Sequence, residues 1–144
     1  MPEPQNYANH AKRPPGLFLV AWFAATAAAA SFFFGLFVDF SVETLALFLT
    51  AGAVSVGIPL ARRFALGVQD RVIRLEERLR MERLLPADLE SRIEDLTTDQ
   101  LIGLRFASDA ELPALARRVL DGELTDRKAI KQAVGDWRAD HQRI

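Results

Sequence analysis

From Gly16 to Val38 the chain reads GLFLVAWFAATAAAASFFFGLFV, without one charged side chain. As a helix this run is about 34 Å long, enough to cross a hydrocarbon core of roughly 30 Å. A helix apolar on every side needs apolar surroundings, and a chain of 144 residues has too little other protein to supply them. Lipid is therefore the expected solvent. A cleavable signal sequence is the competing reading, with Lys12 and Arg13 as its basic region and residues 28–30 as a small-residue cleavage site. The apolar stretch nevertheless continues through Phe32, Phe33, Phe34, Leu36, Phe37 and Val38, further than such a sequence normally runs.

A second apolar run, residues 42–60, is interrupted only by Glu43 near its start and carries Gly52, Gly57 and Pro59. It gives about 28 Å of helix, which suffices with little tilt. The connection Asp39-Phe40-Ser41 is so short that the two helices must be antiparallel neighbours. Lys12 and Arg13 precede the first run, and Arg62 and Arg63 follow the second. Basic residues are held back on the cytoplasmic side, so both termini are expected there. Pro59 withholds a donor from the Ser55 carbonyl and predicts a loosened helix at this end.

Small residues recur at steps of three and four within both runs: Ala24, Ala28, Ser31 and Gly35 in the first, Ala53 and Gly57 in the second, together with Ala51 and Ser55. Such spacing lets helix backbones approach in lipid, within one hairpin or between protomers. No ionisable side chain lies in the middle of either run, which removes the usual signature of proton relays and ion pathways. A pore built from several hairpins, lined by Thr26, Ser31, Thr50 and Ser55, is the alternative functional reading.

The charge lies elsewhere. Fourteen of the 18 basic and sixteen of the 19 acidic residues follow Arg63, so a mean hydropathy of +0.07 averages two segments meant for two solvents. Within the charged segment, Phe64, Val68, Val72, Leu75 and Leu79 recur at steps of four and three, a narrow apolar seam on a helix otherwise covered by charge. Asp70 with Arg74, Glu76 with Arg80, and Arg78 with Glu82 are spaced as supporting i,i+4 pairs. The second apolar helix is therefore expected to continue as a stalk to about Leu84. Its seam is expected either to pack on the helices that follow or to associate with another chain.

Pro86 fits the first turn of a short helix through Glu94. Thr97 with Gln100, and Ser108 with Glu111, are spaced as capping boxes that start two more helices. These present Leu101, Ile102, Leu104 and Phe106, then Leu112, Leu115, Val119 and Leu120, the second ending at Gly122. Thr125 or Asp126 caps a last helix bearing Ile130, Val134 and Trp137. So small a core has little stability of its own, which favours tethering or assembly.

Chemistry is sparsely provided. The chain has no cysteine, so disulfides and thiolate sites are excluded. The interleaved charges form no basic cluster for nucleic acid. The two histidines, His10 and His141, are joined by Asp136 and Asp140 in no recognised ligand spacing, and the simpler reading makes them surface residues. Arg105, Arg117 and Arg118 are too scattered for a lipid-binding cluster. No catalytic residue, cofactor, metal site or small-molecule substrate is expected.

The phrases Asn6-Tyr7-Ala8-Asn9-His10, Arg71-Val72-Ile73-Arg74-Leu75-Glu76-Glu77-Arg78-Leu79-Arg80, Leu104-Arg105-Phe106-Ala107-Ser108-Asp109, Arg127-Lys128-Ala129-Ile130-Lys131-Gln132 and Asp136-Trp137-Arg138-Ala139-Asp140-His141 resemble a family of small uncharacterised bacterial membrane proteins, a domain of unknown function. The likeness covers nearly the whole chain. It implies a bacterial origin and two spans with a cytoplasmic tail, and brings no substrate, cofactor or catalytic residue.

The expectation is an all-α protein in four parts: an N-terminal cytoplasmic segment (1–15), a transmembrane helical hairpin (16–61), an amphipathic stalk (62–85) and a small cytoplasmic bundle of short helices (86–144). Its expected role is non-catalytic, as an assembly, docking or accessory subunit, with the lipid bilayer and a homo-oligomer or larger membrane complex as partners.

Overall fold

A computed structural model describes residues 4–11 and 13–140; Glu3, Lys12 and His141 lie outside the described residues. Every named element is helical: α1 Gly16–Val38, α2 Val42–Leu84, α3 Ala87–Glu90, a 3-10 turn Ile93–Asp95, α4 Thr98–Leu104, α5 Leu112–Leu120 and α6 Arg127–Ala133. Two of them, α1 and α2, are long and apolar enough to cross a membrane by length and composition. The chain divides into two compact units, one comprising Arg13–Leu66 and the other the described residues of Met1–Lys12 and Gly67–Ile144. Helix α2 contributes to both and is continuous through Pro59.

The first unit is a helical hairpin. The Arg62 guanidinium lies 5.5 Å from the Phe18 ring, Thr26 Oγ1 is 2.7 Å from Ser55 Oγ, and the Phe33 and Phe48 rings are 5.4 Å apart. As one residue number rises its partner falls in step, which is what an antiparallel pair requires. Thr26 and Thr50 also donate to the Trp22 and Ala46 carbonyls one turn back, both at 2.8 Å, so these hydroxyls are satisfied without water. No residue of α1 is buried, and Leu17, Phe37, Val42 and Val56 are widely exposed. In water an apolar surface of this extent is unfavourable by roughly 25 cal/mol per Å².

The second unit closes on an apolar core. Met81 and Leu85 meet Leu89, Ile93 and Leu96, then Leu101 and Leu104 of α4, Leu112, Leu115 and Val119 of α5, and Ile130 of α6. Thr97 and Gln100 form the full capping box at the start of α4. Asp126 caps α6 by accepting from the Lys128 and Ala129 amides. Helix α5 ends where Gly122, at φ 82°, takes the left-handed conformation that a Cβ would strain.

Several expectations are corrected. The helix from Pro86 breaks at Ser91 and Arg92 into α3 and a 3-10 turn. Only half of the second capping box forms: the Glu111 amide donates to Ser108 Oγ at 3.3 Å, but the Glu111 carboxylate accepts from the Gly135 and Asp136 amides. Those bonds hold an extended tail, so α6 stops at Ala133 and neither Val134 nor Trp137 is helical. Arg78 and Arg80 also leave their i,i+4 neighbours, Arg78 for Glu94 and Arg80 for Asp109 and for Glu77 one turn back on the same helix.

At Gly103 the backbones of α4 and α6 come close, and a Cβ there would lie 2.9 Å from Ile130 Cγ2 and 3.0 Å from Ile130 Cβ. Gly103→Ala is expected to cost about 1–3 kcal/mol through overpacking, read as a lower thermal midpoint of the detergent-solubilised protein by circular dichroism. An unchanged midpoint would show that this contact relaxes freely.

Candidate functional site

In the second unit α2 has two contrasting faces. One, bearing Ile73, Glu77, Arg80 and Met81, is buried. The other bears the apolar seam: Val68, Val72, Leu75 and Leu79 are between 46% and 61% exposed, and Phe64, which falls in the hairpin unit, is 66% exposed. The following helices thus pack on the face that carries Ile73 and Met81 together with two charges, and leave the aliphatic stripe open.

Arg80 organises the packed face. Its Nη1 donates to Glu77 Oε2 at 3.0 Å, its Nε to Asp109 Oδ1 at 2.8 Å, and its Nη2 to the Ala107 carbonyl at 2.7 Å. Arg138 approaches the other Glu77 oxygen at 3.6 Å, and Arg105 Nη1 lies 3.3 Å from Asp140 Oδ2. The Arg105 guanidinium also stands 4.5 Å from the Phe106 ring centroid, and the Lys131 ammonium is 5.0 Å from it. Ala107 bridges Trp137 through backbone pairing, with the Ser108 amide donating to the Asp136 carbonyl and the Arg138 amide to that of Phe106. These bonds bring Arg138 and Asp140 to the stalk.

Between the stalk and this tail lies a half-open cleft of about 850 Å³, with Gln69, Val72, Glu76, Glu77, Arg80, Arg83, Arg105, Asp109, Arg138 and Asp140 among its lining residues. Its charges are nearly balanced, so it offers ion pairing and no single-sign field. Burial pushes the Glu77 carboxyl above the ordinary carboxylate range, against the opposing pull of Arg80, Arg138 and Arg105. In contrast, the exposed Asp88 carboxyl is held below that range by its hydrogen bond from Arg117.

The N-terminal segment joins this unit. Gln5 and Asp140 exchange two hydrogen bonds, the Asp140 amide donating at 2.8 Å and Gln5 Nε2 donating to the Asp140 carbonyl at 3.4 Å. The His10 ring lies 5.5 Å from Phe106 and 5.6 Å from Trp137, with Nδ1 2.7 Å from the Tyr7 carbonyl and Nε2 3.1 Å from Lys131 Nζ. A cationic neighbour makes His10 a poor metal ligand. Asp136 gives its backbone to Ser108 and Glu111, and Asp140 its carboxylate to Arg105.

Arg117 and Arg118 bond Asp88 and Glu123, so with Arg105 they are engaged within the protein. In the hairpin, Ala28 and Gly35 lie on the half-buried face of α1, a Cβ on Gly35 coming 3.3 Å from Thr44 Cγ2. Ala24, Ser31, Ala53 and Gly57 are exposed. Trp22, Phe32 and Phe48 are half-buried as well. Sequence reasoning missed Arg80, Asp109 and Glu111; the spacing that placed Arg80 beside Glu76 concealed its long-range partners.

Two substitutions test the buried pair. Arg80→Leu strands Glu77 and is expected to cost about 3–5 kcal/mol, with the Glu77→Leu, Arg80→Leu double variant recovering part of the loss. Because burial raises the Glu77 pKa in the folded state, the native protein binds the proton more tightly than the unfolded chain does. Its contribution is full below the ordinary value of 4.5 and is lost as pH rises through the raised one. The stability of the natural protein relative to Glu77→Gln is therefore expected to fall as pH rises from about 4.5 toward neutrality. A pH-independent difference in thermal midpoints would remove this account.

A family of unknown function, DUF6526, matches this sequence over residues 1–144. No curated protein and no solved structure matches it significantly.

Proposed function

The chain belongs to DUF6526, a family without an assigned function, and from its architecture we propose that it is a membrane-anchored docking protein, an assembly or accessory subunit whose stalk seam is the docking face. The observation that carries this reading is the seam itself. Val68, Val72, Leu75 and Leu79 follow one another at coiled-coil spacing and stay exposed, although a core-forming helical unit stands beside them. A helix lying along aliphatic residues at that spacing buries them as a continuous stripe.

In this reading α1 and the first part of α2 cross the cytoplasmic membrane as a hairpin. The lack of buried residues along both apolar segments supports it, since lipid is a solvent in which such helices need no cover. The contacts of Gln5 and His10 with Asp140, Phe106 and Trp137 support a common side for both ends, because two segments that pack together are separated by an even number of crossings. Arg13, Arg62 and Arg63 at the ends of the spans favour the cytoplasm as that side. The pore alternative gains nothing from Thr26 and Ser55, which hydrogen-bond each other inside one hairpin.

The lack of native cysteine makes single-cysteine labelling clean. With an impermeant maleimide on intact cells, Phe40→Cys in the turn is expected to label and Glu123→Cys to label only after lysis. Labelling of Glu123→Cys from outside would invert the topology. A photo-crosslinking residue in place of Leu75 is expected to give a covalent adduct in native membranes, with Arg74 as the negative control; a bare seam would end the docking reading.

A further inference from the structure

With Val72 taken as heptad position a, Leu79 is also at a and Val68 and Leu75 are at d. The buried residues Ile73, Glu77, Arg80 and Met81 then occupy positions b, f, b and c, the outer positions of a coiled coil. The helical unit thus covers the side of α2 that a coiled-coil partner never touches. It leaves Val68, Val72, Leu75 and Leu79 at a and d exposed, with Arg71 at g and Glu76 at e beside them. A β-branched residue at a beside leucine at d, as at Val72 and Leu75, is the pairing that favours two strands.

We propose that the occupant of the seam is a second copy of this chain, lying parallel and in register over residues 68–79. This rests on the docking reading above and names its partner. The flanking charges select both the partner and the direction. In a parallel pair Arg71 at g faces Glu76 at e of the second copy, and symmetry makes the contact twice. The next such contact sets Arg78 against Arg83 of the second copy, but Arg78 is already bonded to Glu94 at 2.9 Å in its own chain.

An antiparallel pair would instead set Arg71 against Arg78, whose charge Glu94 already meets, and Gln69 against Glu76, with no attraction in either place. Glu76 also lines the cleft, so the second copy's Arg71 arrives at its rim. The seam is short, yet two chains anchored in one bilayer meet at a raised effective concentration and extend their stalks in the same sense.

The test uses full-length Val68→Cys and Leu79→Cys variants reconstituted into vesicles at low protein-to-lipid ratio and oxidised mildly. Each variant alone is expected to form a disulfide-linked dimer, with Arg74→Cys at an outer position forming none. Cross-linking only when Val68→Cys and Leu79→Cys are mixed would mean an antiparallel pair and overturn the proposal, as would no cross-linking at all. Arg71→Glu or Glu76→Arg is expected to weaken the dimer about tenfold, and the double exchange to restore it; failure to restore would remove the charge pairing. A photoadduct at Leu75 with a mass other than twice the chain would overturn the second-copy assignment and leave the docking reading standing. No adduct would remove both.

Discussion

The Arg80 guanidinium is the group on which the folded unit depends. It is only 8% exposed and meets Glu77, Asp109 and the Ala107 carbonyl. A buried cation is tolerable only when its donors are used, and here the acceptors come from the same helix, from a loop and from a backbone that pairs with the tail. Geometry fixed by a planar, multiply bonded group sets the rotation of α2 about its own axis. That rotation decides which stripe of the stalk is covered and which is left open.

The uncovered stripe follows as a consequence. Helical neighbours could have buried Val68, Val72, Leu75 and Leu79 in an apolar contact; they meet Ile73, Glu77, Arg80 and Met81 instead. The packed side carries Ile73 and Met81 with one ion pair, and a second, aliphatic stripe stays bare.

The tail and the N-terminal segment complete the unit. Glu111 holds the Gly135 and Asp136 amides, Trp137 pairs with Ala107, and His10 stacks among Phe106, Trp137 and Tyr7. Residues far apart in the chain share one aromatic cluster, so residues 4–11 are part of the folded unit.

Apolar length, charge asymmetry and local capping were legible in the residues: α1 spans Gly16–Val38, α2 ends at Leu84, Thr97 and Asp126 cap their helices and Gly122 ends α5. Each depends on a few neighbouring side chains or on the solvent a run of them can tolerate, and both are properties of sequence. The pairing of Arg80 with Asp109, the diversion of Glu111 to the tail, the packing of His10 and the phase of the hairpin contact were decided only in three dimensions. A charged side chain has several acceptors within reach along a helix, and which it takes depends on what burial brings beside it.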